Sequence, residues 1–232
     1  MTAASLQQAS VATFMSEPHW QSPAPSQPNP AAAGEEEHSV DAESVRLMLR
    51  VKDGDVRAFE RLVELHQNIV IGTVTRMLGN VEDAHDIAQQ TFLRVWKSAP
   101  RYEPTAKFTT WLFTIARNLV FNESRRRTRR KEVSIEADTE EENPRQFADH
   151  AAPGPDQLAQ QEELEVALDK AIAALPEKQR LAVILRRHQE LPYEQICDIL
   201  KMSLPAVKSL LFRARTELRK QLASYLGEDI PA

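Results

Sequence analysis

Six of the seven residues from Arg125 to Lys131 are cations, interrupted only by Thr128. Just upstream, the same helix-like run carries Phe108, Trp111, Phe113 and Phe121, together with the carboxamide of Asn118. Arginines and lysines neutralise phosphates along a nucleic-acid backbone, and aromatic rings stack on unpaired bases. A carboxamide offers a base edge both a donor and an acceptor. Asn118 lies seven positions after Trp111, on the same helix face. A second cationic run, with Lys208, Arg213, Arg215, Arg219 and Lys220, follows near the C-terminus. Each feature also has a plainer explanation. Taken singly, most of the aromatics are better read as core, and a cationic helix end as a solvated surface.

Other chemistries find little support. There is no glycine-rich phosphate loop, no nucleophile elbow and no histidine pair at metal-ligand spacing. His188 and Glu190 merely flank Gln189. Neither a cofactor nor an enzymatic activity is expected. Cys197 is the only cysteine, so an intrachain disulfide is impossible and a reducing, cytoplasmic setting is expected. Its apolar surroundings read as those of a small buried side chain. No apolar run reaches the length of a membrane span, and the N-terminus lacks a secretory pattern. The formal charge of −5 conceals segregation. The cations at 125–131 are followed at once by Glu132, Glu136, Asp138, Glu140, Glu141 and Glu142. A basic patch on an acidic chain still attracts phosphates.

The elements that must position these groups are helical. Residues 1–38 are rich in Ala, Ser, Gln and Pro without apolar periodicity, and read as a disordered tail. From Asp41 the pattern is helical, with Val45, Met48, Leu49 and Val51 near one face and a turn at Asp53-Gly54-Asp55. A helix over 56–78 follows, stopped by Gly79-Asn80. The next begins near Val81, with Ala84, Ile87, Ala88, Phe92, Leu93 and Trp96 expected inward, and ends at Pro100. The aromatic–basic segment makes a fourth helix. Residues 132–157 hold acids and prolines, and read as a linker long enough that the flanking domains need not pack together. Helical periodicity resumes from Leu158 to about Leu226, broken at Pro176, Pro192 and Met202-Ser203. The expected fold is all-α, in two small domains.

The last two helices, Tyr193 to Leu200 and onward from Leu204, enclose a three-residue turn and form a helix-turn-helix pattern. Ile196, Ile199, Leu200, Leu204, Val207, Leu210 and Leu211 would make the core between them. Ser203 suits the N-cap, and Pro205 tolerates the first turn. Lys208, Ser209, Arg213 and Arg215 then fall on the expected exposed face of the second helix, suited to a major groove. An ordinary helical hairpin with a solvated cationic face is the bland alternative.

Four segments in order, DGDVRAFERLVELHQNIV, EDAHDIAQQTFLRVWKSAPRY, FTTWLFTIARNLVFNESRRRTRR and LPEKQRLAVILRRHQELPYEQICDILKMSLPAVKSLLFRARTELRKQL, resemble the two conserved regions of an extracytoplasmic-function (ECF) sigma factor of the sigma-70 family. The resemblance covers about 41–131 and 158–225. It implies a tail (1–38), sigma region 2 (39–131), an acidic linker (132–157), sigma region 4 (158–226) and a C-terminal tail (227–232). It also implies that the chain directs core RNA polymerase to promoters and promotes DNA melting under the control of an anti-sigma factor. Asp83, Asp86, Gln89, Gln90, Phe92 and Trp96 would dock on the coiled coil of the largest polymerase subunit. Tyr102, Phe108, Trp111 and Asn118 would capture a base of the minus-ten element, with Arg125, Arg126 and Arg127 beside its backbone. Ser203, Ala206, Lys208, Ser209, Arg213 and Arg215 would read the minus-thirty-five duplex. The linker's acids would thread through polymerase channels otherwise occupied by nucleic acid. Lys201 stands where the family often has a turn glycine, Leu210 at an often basic position, and Pro104 at an often glycine one. A stand-alone helix-turn-helix regulator is the rival reading; it leaves the Asp86–Trp96 helix unexplained.

Overall fold

Hydrogen-bonding side chains set the helix boundaries of the first half. The computed structural model describes residues 30–134 and 155–226. Helix α1 (Pro30–Lys52) is followed by α2 (Val56–Leu78), α3 (Val81–Ser98), a 3-10 turn (Ala99–Arg101) and α4 (Phe108–Ser134). At the start of α2, the Asp55 carboxylate accepts from the Ala58 amide at 3.0 Å and from Arg50 Nη2 at 2.6 Å. Gly79 closes α2 in the left-handed region (φ 72°), where a side chain would be strained. The Asn80 side chain then caps α3, accepting from the Asp83 amide at 3.1 Å. Asp41 of α1 takes the Phe108 amide at 3.0 Å, so one helix caps the start of another.

Helix α1 begins at Pro30, inside the segment read as tail. Proline suits a first helical turn, and the alanines and glutamates after it are strong helix formers even without an apolar stripe. Residues 1–29, 135–154 and 227–232 lie outside the described residues, and with them most of the expected tail, the expected linker and the C-terminal tail.

The second half comprises α5 (Pro155–Ala174), α6 (Glu177–His188), α7 (Tyr193–Leu200), α8 (Leu204–Gln221) and a single turn, α9 (Ala223–Leu226). No strand occurs among the described residues. The core between α7 and α8 holds Ile196, Ile199, Leu200, Val207 and Leu211, while Leu204 and Leu210 are half-buried. Lys201 ends α7 with φ 54°, at a cost of roughly 1 kcal/mol for a non-glycine residue.

The halves pack against each other, a contact that the length of the segment between them permits without requiring. Buried residues run continuously from Met48, Leu62 and Val74 through Phe108 and Leu112 to Ile184, Ile199 and Leu211. Helix α4 explains this. Over Phe108–Val120 it is apolar nearly all round, with Phe108, Leu112, Phe113, Ala116, Leu119 and Val120 all buried. A helix that is apolar on every side needs cover on every side. Helices α1–α3 cover part of α4, and α7 covers another.

His66 lies in this core at 2% exposure, with its Nε2 2.8 Å from Ser44 Oγ and its ring 5.0 Å from that of Phe108. Burial pushes its pKa down to about 4. The unfolded chain binds a proton at this site below about pH 6.5, while the folded chain resists it. The stability His66 contributes is therefore full above pH 6.5 and falls as pH drops toward 4. Denaturant titrations at pH 7.5 and 5 should show a loss of about 2 kcal/mol from this site, and His66→Gln should flatten that dependence.

Candidate nucleic-acid and protein interfaces

Helix α3 presents one face to solvent and one to the core. Ala84, Ile87, Ala88, Thr91, Phe92 and Val95 are buried. His85, Asp86, Gln89, Gln90, Leu93 and Trp96 are exposed. Leu93 was expected inward, yet half its surface is accessible, and Trp96 is 37% exposed. Leu93 follows the buried Phe92 and precedes the buried Val95 by two positions, which turns it out of the apolar stripe. Phe92 is buried, so its part is to support this face from beneath. A groove of about 500 Å³ between α2 and α3 is lined by Phe59, Val63, Ile71, Asp86, Gln89 and Leu93, among others. The Phe59 ring meets Trp96 edge-on at 5.1 Å between centroids. The result is an apolar trough edged by a carboxylate and amides.

Asp83 lies apart from that face. Its carboxylate receives Arg127 Nη2, while Arg127 Nη1 donates to the Leu78 carbonyl at 3.0 Å. Arg127 thus ties α4 to the start of α3 and the end of α2, where a cation complements the helix dipole. Arg126 and Arg127 also reach Glu123, at 2.8 and 3.4 Å. The hydrogen bond from Arg126 holds the Glu123 carboxyl below its ordinary range. Arg125, Arg129 and Arg130 are exposed. The cationic run therefore divides into an inner brace and an outer face. Arg127→Ala should lower stability by about 1–2 kcal/mol, whereas Arg125→Ala should stay within about 0.5 kcal/mol. Equal losses in chemical denaturation would remove the distinction.

The aromatic group is mostly interior. Tyr102 is 3% exposed and Phe108 fully buried; Trp111 is half-buried with its ring 4.9 Å from that of Tyr102. Lys52 Nζ donates to the Tyr102 carbonyl at 3.1 Å, fixing the loop before α4. Burial raises the Tyr102 phenol to about 12. In this form Tyr102 and Phe108 cannot meet a base, and the alternative of core packing holds for them. Asn118 is exposed, and its Oδ1 accepts from Arg117 Nη2 at 2.5 Å.

On α8, Ser203, Ser209 and Arg213 are exposed, and Ala206 and Lys208 half-exposed. Ser203 occupies the N-cap without a side-chain capping bond. Arg215 is the exception to the expected exposed face. It is 9% exposed, because it stands four residues after Leu211 and three before Leu218 on the buried stripe. The outward face gains Phe212 instead, at 61% exposure. Its apolar character concealed it in the sequence, although it lies three positions after Ser209. Among the described residues no cluster of three or more His, Cys, Asp or Glu side chains could hold a metal ion, and no helix is long and apolar enough to cross a membrane.

Known proteins match this chain in sequence and in fold. Residues 62–130 match the family model for sigma-70 region 2, and residues 165–218 that for sigma-70 region 4. The chain is 33% identical to the RNA polymerase sigma-H factor of Pseudomonas aeruginosa over 79% of this chain and 95% of that protein. It is 34% identical to the ECF RNA polymerase sigma factor SigW of Bacillus subtilis, over 75% and 93% of the two chains. Among solved structures, the sigma factor RpoE in complex with the anti-sigma factor NepR from Bartonella quintana aligns with a TM-score of 0.56 at 25% identity. That alignment covers 72% of this chain and 98% of that one. CnrH in complex with the cytosolic domain of CnrY shares the fold, with a TM-score of 0.55 at 22% identity over 79% and 99% of the two chains. Two matched regions in the right order, and relatives aligned over nearly their whole length, place this chain in the ECF branch of the sigma-70 family of RNA polymerase sigma factors.

Proposed function

We propose that this sigma factor docks on core RNA polymerase through the α3 trough and engages promoter DNA through the outer faces of α4 and α8. The observation that carries this reading is the separation of three unlike surfaces on one chain. One is apolar with an acidic edge, and two are cationic. An apolar trough edged by Asp86 and Gln89 fits a basic amphipathic partner such as a polymerase coiled coil. On α8, Ser209 and Arg213 can read base edges in the upstream duplex, Lys208 can reach a phosphate, and Phe212 can lie against a thymine methyl. On α4, Arg125, Arg129 and Arg130 follow the backbone of the minus-ten element, and Asn118 reads a base once the strands part.

The family regulates transcription, and no catalytic step is assigned to the chain. We place its work in the cytoplasm, with an anti-sigma factor as its regulator. The support for such a partner is the likeness to RpoE, which was solved with its anti-sigma factor. Run-off transcription with core polymerase on a library of genomic fragments tests the function. Discrete transcripts should depend on adding this chain. If core alone yields the same products, the proposal fails. A stand-alone regulator would instead bind duplex sites without any need for core.

A further inference from the structure

Helix α1 holds both ends of one exposed loop. Between the 3-10 turn and α4, residues 103–106 are exposed, while Tyr102 and Phe108 on either side are buried. Lys52 Nζ, from the last turn of α1, donates to the Tyr102 carbonyl at 3.1 Å. Earlier on the same helix, Asp41 Oδ1 accepts from the Phe108 amide at 3.0 Å. The spacing from Asp41 to Lys52 is about three turns, so the two share a face of α1. Burial, and after it the Asp41 charge, raise the Tyr102 phenol, so Asp41 stands near both ends of the loop.

The middle of the loop is stiff as well. Pro104 fixes its own φ and disfavours a helical Glu103. The Thr105 amide donates to the Glu103 carbonyl across it at 2.8 Å. A loop tied in this way has few conformations to lose when something binds it, and little freedom to reshape around a poorer fit. Its position gives that stiffness a use. The Tyr102 ring lies 4.9 Å from that of Trp111, and Trp111 shares a face of α4 with Asn118. From Phe108 to Asn118, helix α4 runs about 15 Å, or about four nucleotides at the spacing of a DNA strand. A strand that follows Arg125 and Arg129 and passes Asn118 therefore arrives at residues 103–106.

We propose that Lys52 and Asp41 are positioning residues for promoter recognition. By clamping the loop between Tyr102 and Phe108 they hold residues 103–106 in one conformation against the unpaired strand, and with Pro104 they set how strictly a base is selected there. The clamp stands apart from the reading of α4 as the minus-ten face; its effect on base selection rests on that reading.

Two measurements test the clamp and its effect. Backbone order parameters from nuclear magnetic relaxation of the full chain should place Glu103, Thr105 and Ala106 at about 0.8, and Lys52→Met or Asp41→Ala should lower them below about 0.6. Lys52→Arg and Asp41→Asn, which keep a donor and an acceptor, should stay near the parent. Holoenzyme assembled from core polymerase and each chain is then titrated with forked fragments of a promoter recovered by run-off selection. The fragments are unpaired across the minus-ten region and carry each of the four bases at each unpaired position in turn. Lys52→Met, Asp41→Ala and Pro104→Gly should reduce the affinity ratio between best and worst base at one position by about fivefold, the effect of one hydrogen bond. The conservative variants should keep the parental ratio. Circular dichroism and core affinity should match the parent throughout, and Pro104→Gly, which touches neither anchor, carries the test should an anchor variant unfold. Order parameters already that low in the parent, or unmoved by the anchor substitutions, would overturn the clamp. A parent that discriminates, beside loosened variants that discriminate equally, would overturn the role in base selection alone. A parent with no preference at any unpaired position would overturn the reading of α4, and this role with it.

Discussion

Leu93→Asp should reduce affinity for core RNA polymerase by about thirtyfold or more, the loss typical of an interface hot spot, with folding nearly unchanged. The asymmetry follows from geometry. Half of the Leu93 surface is accessible, so the substitution leaves no cavity, and its helix-propensity cost is about 0.5 kcal/mol. A carboxylate in the trough beside Phe59 and Val63, however, would have to shed its water when a partner closes over it. Asp86→Arg should act at the same place by reversing a charge on the rim. Anisotropy titrations of labelled chain with core, alongside thermal melts, would check both. If both variants bind core as the parent does, the α3 trough is not the docking face. Phe92→Ala forms the contrast, because that ring is buried and its loss should appear as lowered stability.

Asn118→Ala should depress open-complex formation by about tenfold, the effect of losing one base-directed hydrogen bond, while leaving core binding and closed-complex formation intact. Asn118 is exposed and its side chain accepts from the neighbouring Arg117 on the same helix, so the fold tolerates its truncation. Extruding a base costs a few kcal/mol, and contacts to its edge and face offset this only after melting. Permanganate reactivity of unpaired thymines, on a promoter recovered by run-off selection, would report the defect. A template with a mismatched minus-ten region should restore reactivity if the amide mainly assists melting. If the amide mainly reads the base, the defect should persist and vary with the base offered. Parent-like reactivity on duplex would show that Asn118 does neither.

Short-range physics makes much of this protein legible from its sequence. Asp55, Gly79 and Asn80 mark helix ends because a cap is a contact between near neighbours, and the structure shows those contacts. The turn at Lys201 carries the positive φ that a glycine-like position demands. The division into a mainly buried and a mainly exposed side of α3 and α8 follows the 3.6-residue period. Tertiary structure decided the rest. Leu93 and Arg215 each sit at the margin of an apolar stripe, where a rotation of a fraction of a turn exchanges inside for outside, and only the partner helix fixes that rotation. The arginine stem can line a core, so charge alone did not place Arg215. Composition could not divide the cations at 125–131 either, since what separates Arg127 from Arg125 is a carboxylate forty-four residues away in sequence. Helix α4 is the clearest case. Its pattern shows that more than one face needs cover, but the second cover comes from α7, beyond a stretch of acids and prolines that carries no record of the contact.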